Sequence, residues 1–443
     1  MVQNNADEFV KNSAFSYAAK AISILLGFLY LFVVANSLGP EEYGNLAFMM
    51  DFLATGALVL GFNALAETLV VFIPKTMSRK LSGTFLKIGF LISALLSVLA
   101  YIFPETVVWI AQKGTPELVQ LVVAVVFLNV VSTLIISILT GTKNFGKILQ
   151  LAFTENILNL GLASLFLFYF NGGVIEVVYA KMISLLSIIV IGWIFYRKLP
   201  LSDADVSWGE IKKFGFLSAA LGFVRRGSTQ IILVFVGWFI EQGKLGFYYL
   251  MLKISTYFVE LPITSLNNVL LPTISAQEKD PEKMQRTVSL SVKFYLLVSA
   301  LFSLILVLIG PLFVALIFPG YSEGIYLLPL FAVYFLMGFD ISLGTFYRAI
   351  KRIDIILKSS SIAAIPTIIS GYFLLQEFSV AGLVIALILN RGIQVIYFYL
   401  DIRKHGYKIQ FIPNAKDIKF FYSIASESAK KAVNKASYFF SKR

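Results

Sequence analysis

Long apolar runs separated by short polar segments make up most of this chain. The runs are mostly about 20 residues or longer, the length that an α-helix needs to cross the hydrocarbon core of a bilayer. They lack the ten-residue alternation of outer-membrane barrels. The pattern therefore predicts an all-α integral membrane protein with twelve transmembrane helices. The predicted spans cover residues 12–36, 45–73, 85–103, 118–140, 148–170, 176–196, 213–240, 247–271, 288–311, 324–348, 358–376 and 379–400.

Composition supports the same class. The chain is 58% hydrophobic and 14% charged, whereas soluble domains are about 45–50% apolar and about 25% charged. A net charge of +12 could indicate a nucleic-acid partner, but the cations lie in alternate connections between spans, which argues against one. Cysteine is absent and the single histidine, His405, lies in the C-terminal tail. Disulfides and thiolate metal sites are therefore excluded, and no metal or cofactor is expected.

The basic residues lie almost entirely on one side of the predicted membrane. One set of connections holds Lys75, Arg79, Lys80, Lys143, Lys147, Arg197, Lys198, Lys212, Lys279, Lys283, Arg286, Lys351, Arg352 and the basic tail. The alternate connections hold only Lys113 and Lys244. Because cytoplasmic loops are enriched in Lys and Arg, both termini are predicted to be cytoplasmic, in the inner membrane, and the number of spans to be even. The first span is predicted to act as the insertion signal.

Two segments suggest an internal repeat. Leu38-Gly-Pro-Glu-Glu-Tyr-Gly44 follows the first span and Glu241-Gln-Gly-Lys-Leu-Gly-Phe-Tyr248 the seventh; the next span in each half ends on Val71-Phe-Ile-Pro74 or Val269-Leu-Leu-Pro272. The predicted organisation is an N-terminal six-helix lobe over 1–204, a C-terminal six-helix lobe over 205–400 and a basic cytoplasmic tail over 401–443. Two pseudo-symmetric lobes suit alternating access. The tail is either an amphipathic helix on the anionic inner leaflet or a loosely ordered extension.

Adjacent arginines, Arg225 and Arg226, lie within the apolar stretch Phe214–Ile240. A guanidinium in hydrocarbon costs roughly 3 to 10 kcal/mol, so such residues normally face a cavity or a charged ligand. Arginine also binds phosphate through its planar fork. The pair therefore indicates a carrier of a phosphorylated molecule. In the alternative interpretation the span begins near Leu221, and both side chains reach the inner boundary by snorkelling.

Other charged residues within the spans extend this hypothesis. They are Lys20, Asp51, Glu67, Glu155, Lys181, Lys253, Glu260, Asp340 and Arg391. In the functional interpretation a hydrophilic lumen lies between the lobes. Lys20, Arg225, Arg226 and Arg391 then supply positive charge for the phosphorylated substrate, and the carboxylates of Glu67, Glu155, Glu260 and Asp340 are candidates for ion coupling. The alternative is that each residue belongs to a structural interhelical pair or, for Asp51, Lys181 and Lys253, to the membrane interface.

Enzymatic mechanisms find little support in the sequence. Gly141-Thr-Lys-Asn-Phe-Gly-Lys147 matches the start of a phosphate-binding loop, but Ile148 stands where Ser or Thr is needed and no strand precedes it. No ATPase is therefore predicted. The longest outer connection, from Pro104 to Glu117, has no room for a catalytic domain. An intramembrane enzyme of polysaccharide assembly remains the alternative from a different functional class.

Several short motifs carry a family resemblance over about residues 10–405. They are Lys11-Asn-Ser13, Leu38-Gly-Pro-Glu-Glu-Tyr-Gly44, Ile73-Pro74, Gln230-Ile-Ile232, Leu270-Leu-Pro272 and Phe318-Pro-Gly-Tyr321. Together they resemble the polysaccharide-biosynthesis, Wzx-type flippase branch of the MOP exporter superfamily, which is related to lipid II flippases and MATE antiporters. None of these motifs is catalytic.

The resemblance implies a two-lobed MOP/MATE-like fold and a polyprenyl-diphosphate-linked oligosaccharide as substrate. It also implies a cationic lumen, with Lys20, Arg225 and Arg226 in the expected spans, and as partners membrane lipids, H⁺ or Na⁺, and polysaccharide polymerase or ligase proteins. Many relatives carry an Asp shortly before the segment at Gln230, where this chain reads Arg226-Gly-Ser-Thr-Gln230. A coupling role for that Asp therefore does not carry over. The alternative is a MATE-like cation-coupled antiporter that exports small organic molecules.

Overall fold

The computed structural model describes residues 2–202, 207–260, 270, 274, 277, 280–350, 352–414 and 417, with the backbone alone for 2–20 and Glu260. Its helices are α1 Val2–Val59, α2 Phe62–Thr76, α3 Arg79–Ile102, α4 Pro104–Ala111, α5 Pro116–Gly141, α6 Phe145–Ser164, α7 Val174–Arg197, α8 Trp208–Phe239, α9 Gln242–Ser255, α10 Pro281–Ile317, α11 Leu327–Leu336, α12 Asp340–Ala349 and α13 Ile353–Lys404. Single π-helical turns follow α6, at Leu165–Tyr169, and α9, at Thr256–Glu260. Short 3₁₀ segments flank α11, at Pro319–Gly324 and Met337–Phe339.

The prediction of an all-α membrane protein is confirmed. Among the described residues nine helices are long and apolar enough to cross a membrane, compared with twelve predicted spans. The count differs for identifiable reasons. α1 and α13 each contain parts of two predicted spans, joined at Gly39 and at Ser379. α9 has only 14 residues before its π-turn, and part of the predicted span 247–271 lies outside the described residues. The number twelve stays a prediction.

At Gly39 the chain turns between two predicted spans with almost no loop between them. Gly39 has φ 72°, a left-handed conformation that glycine adopts without steric cost. Pro40 follows, and proline suits the first position of a helix because its missing N–H would have had no partner there. The helix that follows therefore starts at once, and the predicted loop at 37–44 is almost entirely helical. Ser379 has φ 51° at the corresponding junction in α13.

A second break divides the predicted span 45–73 at its centre. α1 ends at Val59 and α2 starts at Phe62. Between them Gly61 adopts φ 92°, while the Leu60 and Gly61 amides donate back to Gly56 and Leu58. Helices interrupted near the middle of the membrane are typical of substrate sites in secondary transporters, because the break frees backbone polar groups.

The chain forms two compact units. The first comprises Met1–Ile254, Pro311–Leu327 and Ala364–Ala386, and the second comprises Ser255–Gly310, Leu328–Ala363 and Leu387–Arg443. In the first unit α1 packs against α6 and α8, and α5 against α3 and α7. The core of the second includes the fully buried rings of Tyr295, Phe331, Phe346 and Phe398. The predicted lobes, 1–204 and 205–400, stay a prediction, as does the role of the tail, which lies mostly outside the described residues.

Within the first unit, two connections predicted to share the inner side meet. The amide of Arg79 donates to Ser202 O at 2.8 Å, and the amide of Ser202 donates to Met77 O at 2.8 Å. These bonds tie the connection after α2 to the connection after α7. The contact agrees with the prediction that alternate connections lie on one side of the membrane.

Candidate functional site

The two segments that suggested the internal repeat cross one another at Gly44 and Gly246. A Cβ atom on Gly44 would collide with Gln242 O, and one on Gly246 would collide with Pro40 O. Gln242 and Pro40 each precede the glycine of their own segment by four residues, so the contact is reciprocal. Such reciprocity is what a two-fold relation between equivalent surfaces produces. Glycine at both positions lets the two backbones approach this closely.

A second contact joins the C-terminal ends of α4 and α8. The indole N–H of Trp238 donates to Ile110 O at 3.0 Å, and Lys113 Nζ donates to Gly237 O at 2.6 Å. Both acceptors are carbonyls from the last turn of a helix, which lack a partner within the helix. A cation near such an end also complements the helix dipole. Lys113 lies in the connection after α4, and burial lowers its pKa from the usual value.

A third contact lies at the end of the predicted first span. Tyr321 Oη donates to Ala35 O at 2.9 Å, and Asn36 Nδ2 donates to Ile317 O at 3.0 Å. All three contacts lie within the first unit and on the side predicted to be outer. We refer to them together as the outer seam: Gly44 with Gly246, Ile110–Lys113 with Gly237–Trp238, and Ala35–Asn36 with Ile317–Tyr321. Each joins a residue of the predicted N-terminal lobe to one of the predicted C-terminal lobe.

The predicted arginine pair lies in the middle of α8. Arg225 and Arg226 are 17 and 18 residues from Trp208, the first residue of this 32-residue helix, which places them about 26 Å along its axis. Both side chains are exposed. The hydroxyls of Ser228 and Thr229 donate to Arg225 O. Both hydroxyls therefore have a hydrogen-bond acceptor on their own helix.

The break between α1 and α2 lies alongside this part of α8. A Cβ on Gly61 would be 3.7 Å from Ala219 Cβ, and one on Gly56 would be 3.9 Å from the Gln230 amide. Ala219 and Gln230 bracket the arginines along the helix. Arg225 and Arg226 are therefore at the level of the break.

Two cavities flank the break. The larger, of about 320 Å³, is lined mainly by apolar side chains together with Gln230, whose Oε1 is buried without a hydrogen-bond partner among the described residues. The smaller, of about 90 Å³, includes the polar side chains of Asn63, Asn129 and Thr133. The break is therefore next to two cavities, one lined mainly by apolar side chains and one with more polar lining.

A carboxylate lies between this region and the seam. Asp51 is half-buried; its Oδ1 accepts from Thr55 Oγ1 and its Oδ2 from Tyr249 Oη, both at 3.2 Å. Lys253 and Arg226 are close enough to Asp51 for electrostatic attraction, and both are exposed. The site therefore combines exposed cations with one carboxylate held by two neutral hydroxyl donors.

The sequence analysis counted Asp51 and Lys253 among the charged residues of the spans, with the membrane interface as the alternative, but did not include them in the candidate site. A signal was available. Asp51 is seven residues after Gly44, and Lys253 is seven residues after Gly246. Aligning the two repeat segments on these glycines would have placed opposite charges at equivalent positions, two helical turns from the crossing.

The other predicted site residues of the first unit are Glu155, Glu67 and Lys20. Glu155 pairs with Lys181 across α6 and α7, with Nζ 2.7 Å from Oε1, which is the structural alternative considered for it. Glu67 is half-buried on α2. Lys20 lies on α1, where only the backbone is described.

The remaining predicted residues belong to the second unit. Arg391 Nη1 donates to Tyr334 O at 3.0 Å, and its guanidinium lies 3.9 Å from the centre of the Tyr334 ring. The face of the ring attracts the guanidinium charge. Asp340 is buried at the start of α12, and Glu260 ends the π-turn after α9. Beside Arg391 in the sequence, Gln394 Nε2 donates to Asn390 Oδ1 at 2.6 Å.

Solved structures share this fold. An inward-facing MATE-family multidrug transporter of the MOP superfamily aligns over 88% of this chain and 98% of its own, with a TM-score of 0.67 and 13% identity. An outward-facing MATE-family multidrug transporter aligns over 90% of this chain and 96% of its own, with a TM-score of 0.68 and 15% identity. A MOP-superfamily transporter from Pyrococcus furiosus aligns over 90% of this chain and 95% of its own, with a TM-score of 0.64 and 15% identity. The chain thus has the fold of MOP-superfamily transporters.

Sequence comparison gives the family. No curated protein matches the chain. The profile of a family described as polysaccharide biosynthesis protein matches residues 33–323, about two thirds of the chain. The match includes the crossing glycines, the arginine pair and Asp51 with Lys253. The resemblance found in the motifs is confirmed: this chain is a membrane protein that belongs to the polysaccharide biosynthesis protein family and has the MOP transporter fold.

Proposed function

We propose that this protein is a flippase that moves polyprenyl-diphosphate-linked oligosaccharide from the inner to the outer leaflet by alternating access. The observation that supports this most directly is the pair of exposed arginines, Arg225 and Arg226, in the middle of a membrane-spanning helix at the level of a break in its neighbour. Membership of the polysaccharide biosynthesis family supports a glycan-bearing substrate.

The chemistry of the site suits a diphosphate. Two adjacent guanidinium groups offer ten N–H donors in planar forks, and phosphate oxygens accept such bonds bidentately. Within the membrane these donors replace the water that a diphosphate loses. An organic cation would be repelled by the same pair, so the antiporter alternative fits the site less well. Lys20 and Arg391 remain proposed contacts for other stages of transport.

The proposed transport does not require ATP hydrolysis. A diphosphate carries about two negative charges, and moving each outward across an inside-negative membrane releases about 2.3 kcal/mol per 100 mV. The potential alone therefore supplies about 4–5 kcal/mol per molecule. Coupling to H⁺ or Na⁺ through Glu67, Glu260 or Asp340 would add to this, whereas Glu155 is already paired with Lys181. In this proposal the protein is not an enzyme.

The proposal places the protein in the inner membrane with both termini in the cytoplasm, as the distribution of basic residues predicts. Its substrate would be made at the inner leaflet and used at the outer leaflet. Polysaccharide polymerases and ligases that take lipid-linked oligosaccharides are therefore the expected functional partners. Neither a metal nor a cofactor has a role in the proposed mechanism.

The test is a leaflet-orientation assay in proteoliposomes with a fluorescent polyprenyl-diphosphate oligosaccharide. Wild-type protein is expected to translocate it, and Arg225→Ala/Arg226→Ala is expected to lose at least about tenfold in rate, since each lost charge-assisted contact costs about 1.5–3 kcal/mol. Arg225→Lys/Arg226→Lys keeps the charge without the fork and is expected to fall between the two.

The matched control is Lys212→Ala/Lys213→Ala, which removes two exposed cations near the start of the same helix. It is expected to leave translocation unchanged. Equal losses in the two double variants would mean that net charge, not the position of the arginines, sets the rate. A wild-type protein that does not translocate the lipid but exports an organic cation would support the antiporter instead.

A further inference from the structure

The position of Asp51 raises a question that phosphate binding alone does not answer. A site for an anionic substrate contains a carboxylate, Asp51, which is hydrogen-bonded to Tyr249, one helical turn before Lys253 on the same face of α9. Lys253 and Arg226 both attract this carboxylate. A negative charge in an anion site weakens binding of the anion by repulsion. The presence of Asp51 therefore points to a separate role for this carboxylate. Its two hydrogen bonds, from Thr55 and Tyr249, come from neutral hydroxyls, so the carboxylate is held in place even when the cations are engaged elsewhere.

The connections of Asp51 join the two sides of the seam. Asp51 and Thr55 lie on the part of α1 after Gly39, whereas Tyr249 and Lys253 lie on α9. These are the two segments that cross at Gly44 and Gly246. Attraction between Asp51 and Lys253, two turns beyond the crossing on either segment, therefore holds together the same pair of helices that the crossing joins.

We propose that Asp51 is an internal counter-ion for Lys253 and Arg226, which keeps the outer seam closed until an anionic phosphate takes its place. Lys253 thereby joins the site as a phosphate contact, in addition to the arginines. When a diphosphate binds Lys253 and Arg226, Asp51 loses its attraction to them but keeps its bonds to Thr55 and Tyr249. The helices on the two sides of the seam are then held without the attraction between Asp51 and the two cations. This inference rests on the proposed function for its substrate, but not for its first test.

The first test measures the seam without any substrate. Because the chain has no cysteine, Met49→Cys introduces a single thiol. Met49 is fully buried between Gly44 and Asp51, and its side chain lies against Gly114 in the connection after α4. In intact cells, labelling by a membrane-impermeant maleimide reports opening of the seam. Adding Asp51→Asn, which keeps the size and one acceptor oxygen, is expected to raise the labelling rate about two- to fivefold, the range for a partly exposed charge pair.

Two controls separate the charge pair from general loosening. Glu117→Gln removes an exposed carboxylate on the same predicted side and is expected to leave labelling unchanged. The exchange Asp51→Lys/Lys253→Asp restores opposite charges and is expected to return labelling towards the wild-type rate. Unchanged labelling in Asp51→Asn, or an exchange variant that labels as fast as Asp51→Asn, would overturn the proposal.

The second test measures anion binding by purified full-length protein, with inorganic diphosphate as the probe in calorimetry. Removing the internal competitor by Asp51→Asn is expected to tighten binding about two- to fivefold, while Lys253→Met weakens it by a similar factor. Equal or weaker binding in Asp51→Asn would contradict the counter-ion role. Neither test involves lipid translocation, so a failed flippase assay and a failed counter-ion test are separate results.

Discussion

Individual side chains within the spans differ in whether a neighbour accounts for their charge. Glu155 and Lys181 form an ion pair with about a quarter of each side chain exposed, and Arg391 stacks on Tyr334. Arg226 and Lys253, both exposed, attract the carboxylate of Asp51. Gly141 also has a packing role, because a Cβ there would lie 3.1 Å from Leu69 O, which explains that glycine in the sequence that imitates a phosphate-binding loop.

The ion pair makes a prediction about coupling. Glu155→Gln is expected to lower the free energy of unfolding by less than about 1 kcal/mol, since a partly exposed pair is screened by solvent. Translocation of the lipid is expected to keep the same dependence on imposed H⁺ and Na⁺ gradients as in the wild type. Thermal unfolding and gradient-dependent translocation in proteoliposomes check the two statements. Loss of gradient dependence in Glu155→Gln at normal stability would instead make Glu155 the coupling carboxylate.

At the level of the elements, close backbone contacts at glycine determine how the helices meet. Gly44 and Gly246 allow α1 and α9 to cross, and Gly237 lets α8 pack on the last carbonyl of α4. The hydrogen bonds around them use carbonyls at helix ends and uncharged donors, apart from Lys113. A seam of this kind is specific in shape but contains few strong bonds, which suits a contact that must open and close during transport.

Gly246→Ala tests this view of the crossing. The added methyl group would collide with Pro40 O, so the two helices must separate, and labelling of Met49→Cys by an impermeant maleimide is expected to increase. Gly243→Ala on the same helix is the matched control, since nothing lies within 4 Å of a Cβ there. It is expected to label like the wild type and to be slightly more stable, because alanine favours helix over glycine by about 1 kcal/mol. Equal labelling in both variants would show that the crossing tolerates a side chain.

Across the whole molecule, the sequence predicted what depends on local pattern and missed what depends on packing between distant segments. Apolar run length predicted the helices, and the short motifs predicted the family. The break at Gly61 was missed because the residues on both sides of it are as apolar as those of an intact span, and only the backbone angles of one glycine divide them. The relation between Asp51 and Lys253 was missed because it appears only when the two repeat segments are aligned on the glycines that cross.

The direction of transport gives the last prediction, which concerns the molecule in its membrane. If about two negative charges cross with each lipid, imposing 100 mV, negative on the side from which the lipid starts, should favour translocation by about 4–5 kcal/mol. The steady-state leaflet ratio in proteoliposomes with a potassium diffusion potential measures this. Reversing the potential is expected to reverse the bias, whereas an uncharged lipid-linked glycan analogue shows neither effect. A bias unaffected by the potential but changed by a pH or sodium gradient would mean that cations compensate the charge of the diphosphate, and the carboxylates of the spans would then carry them.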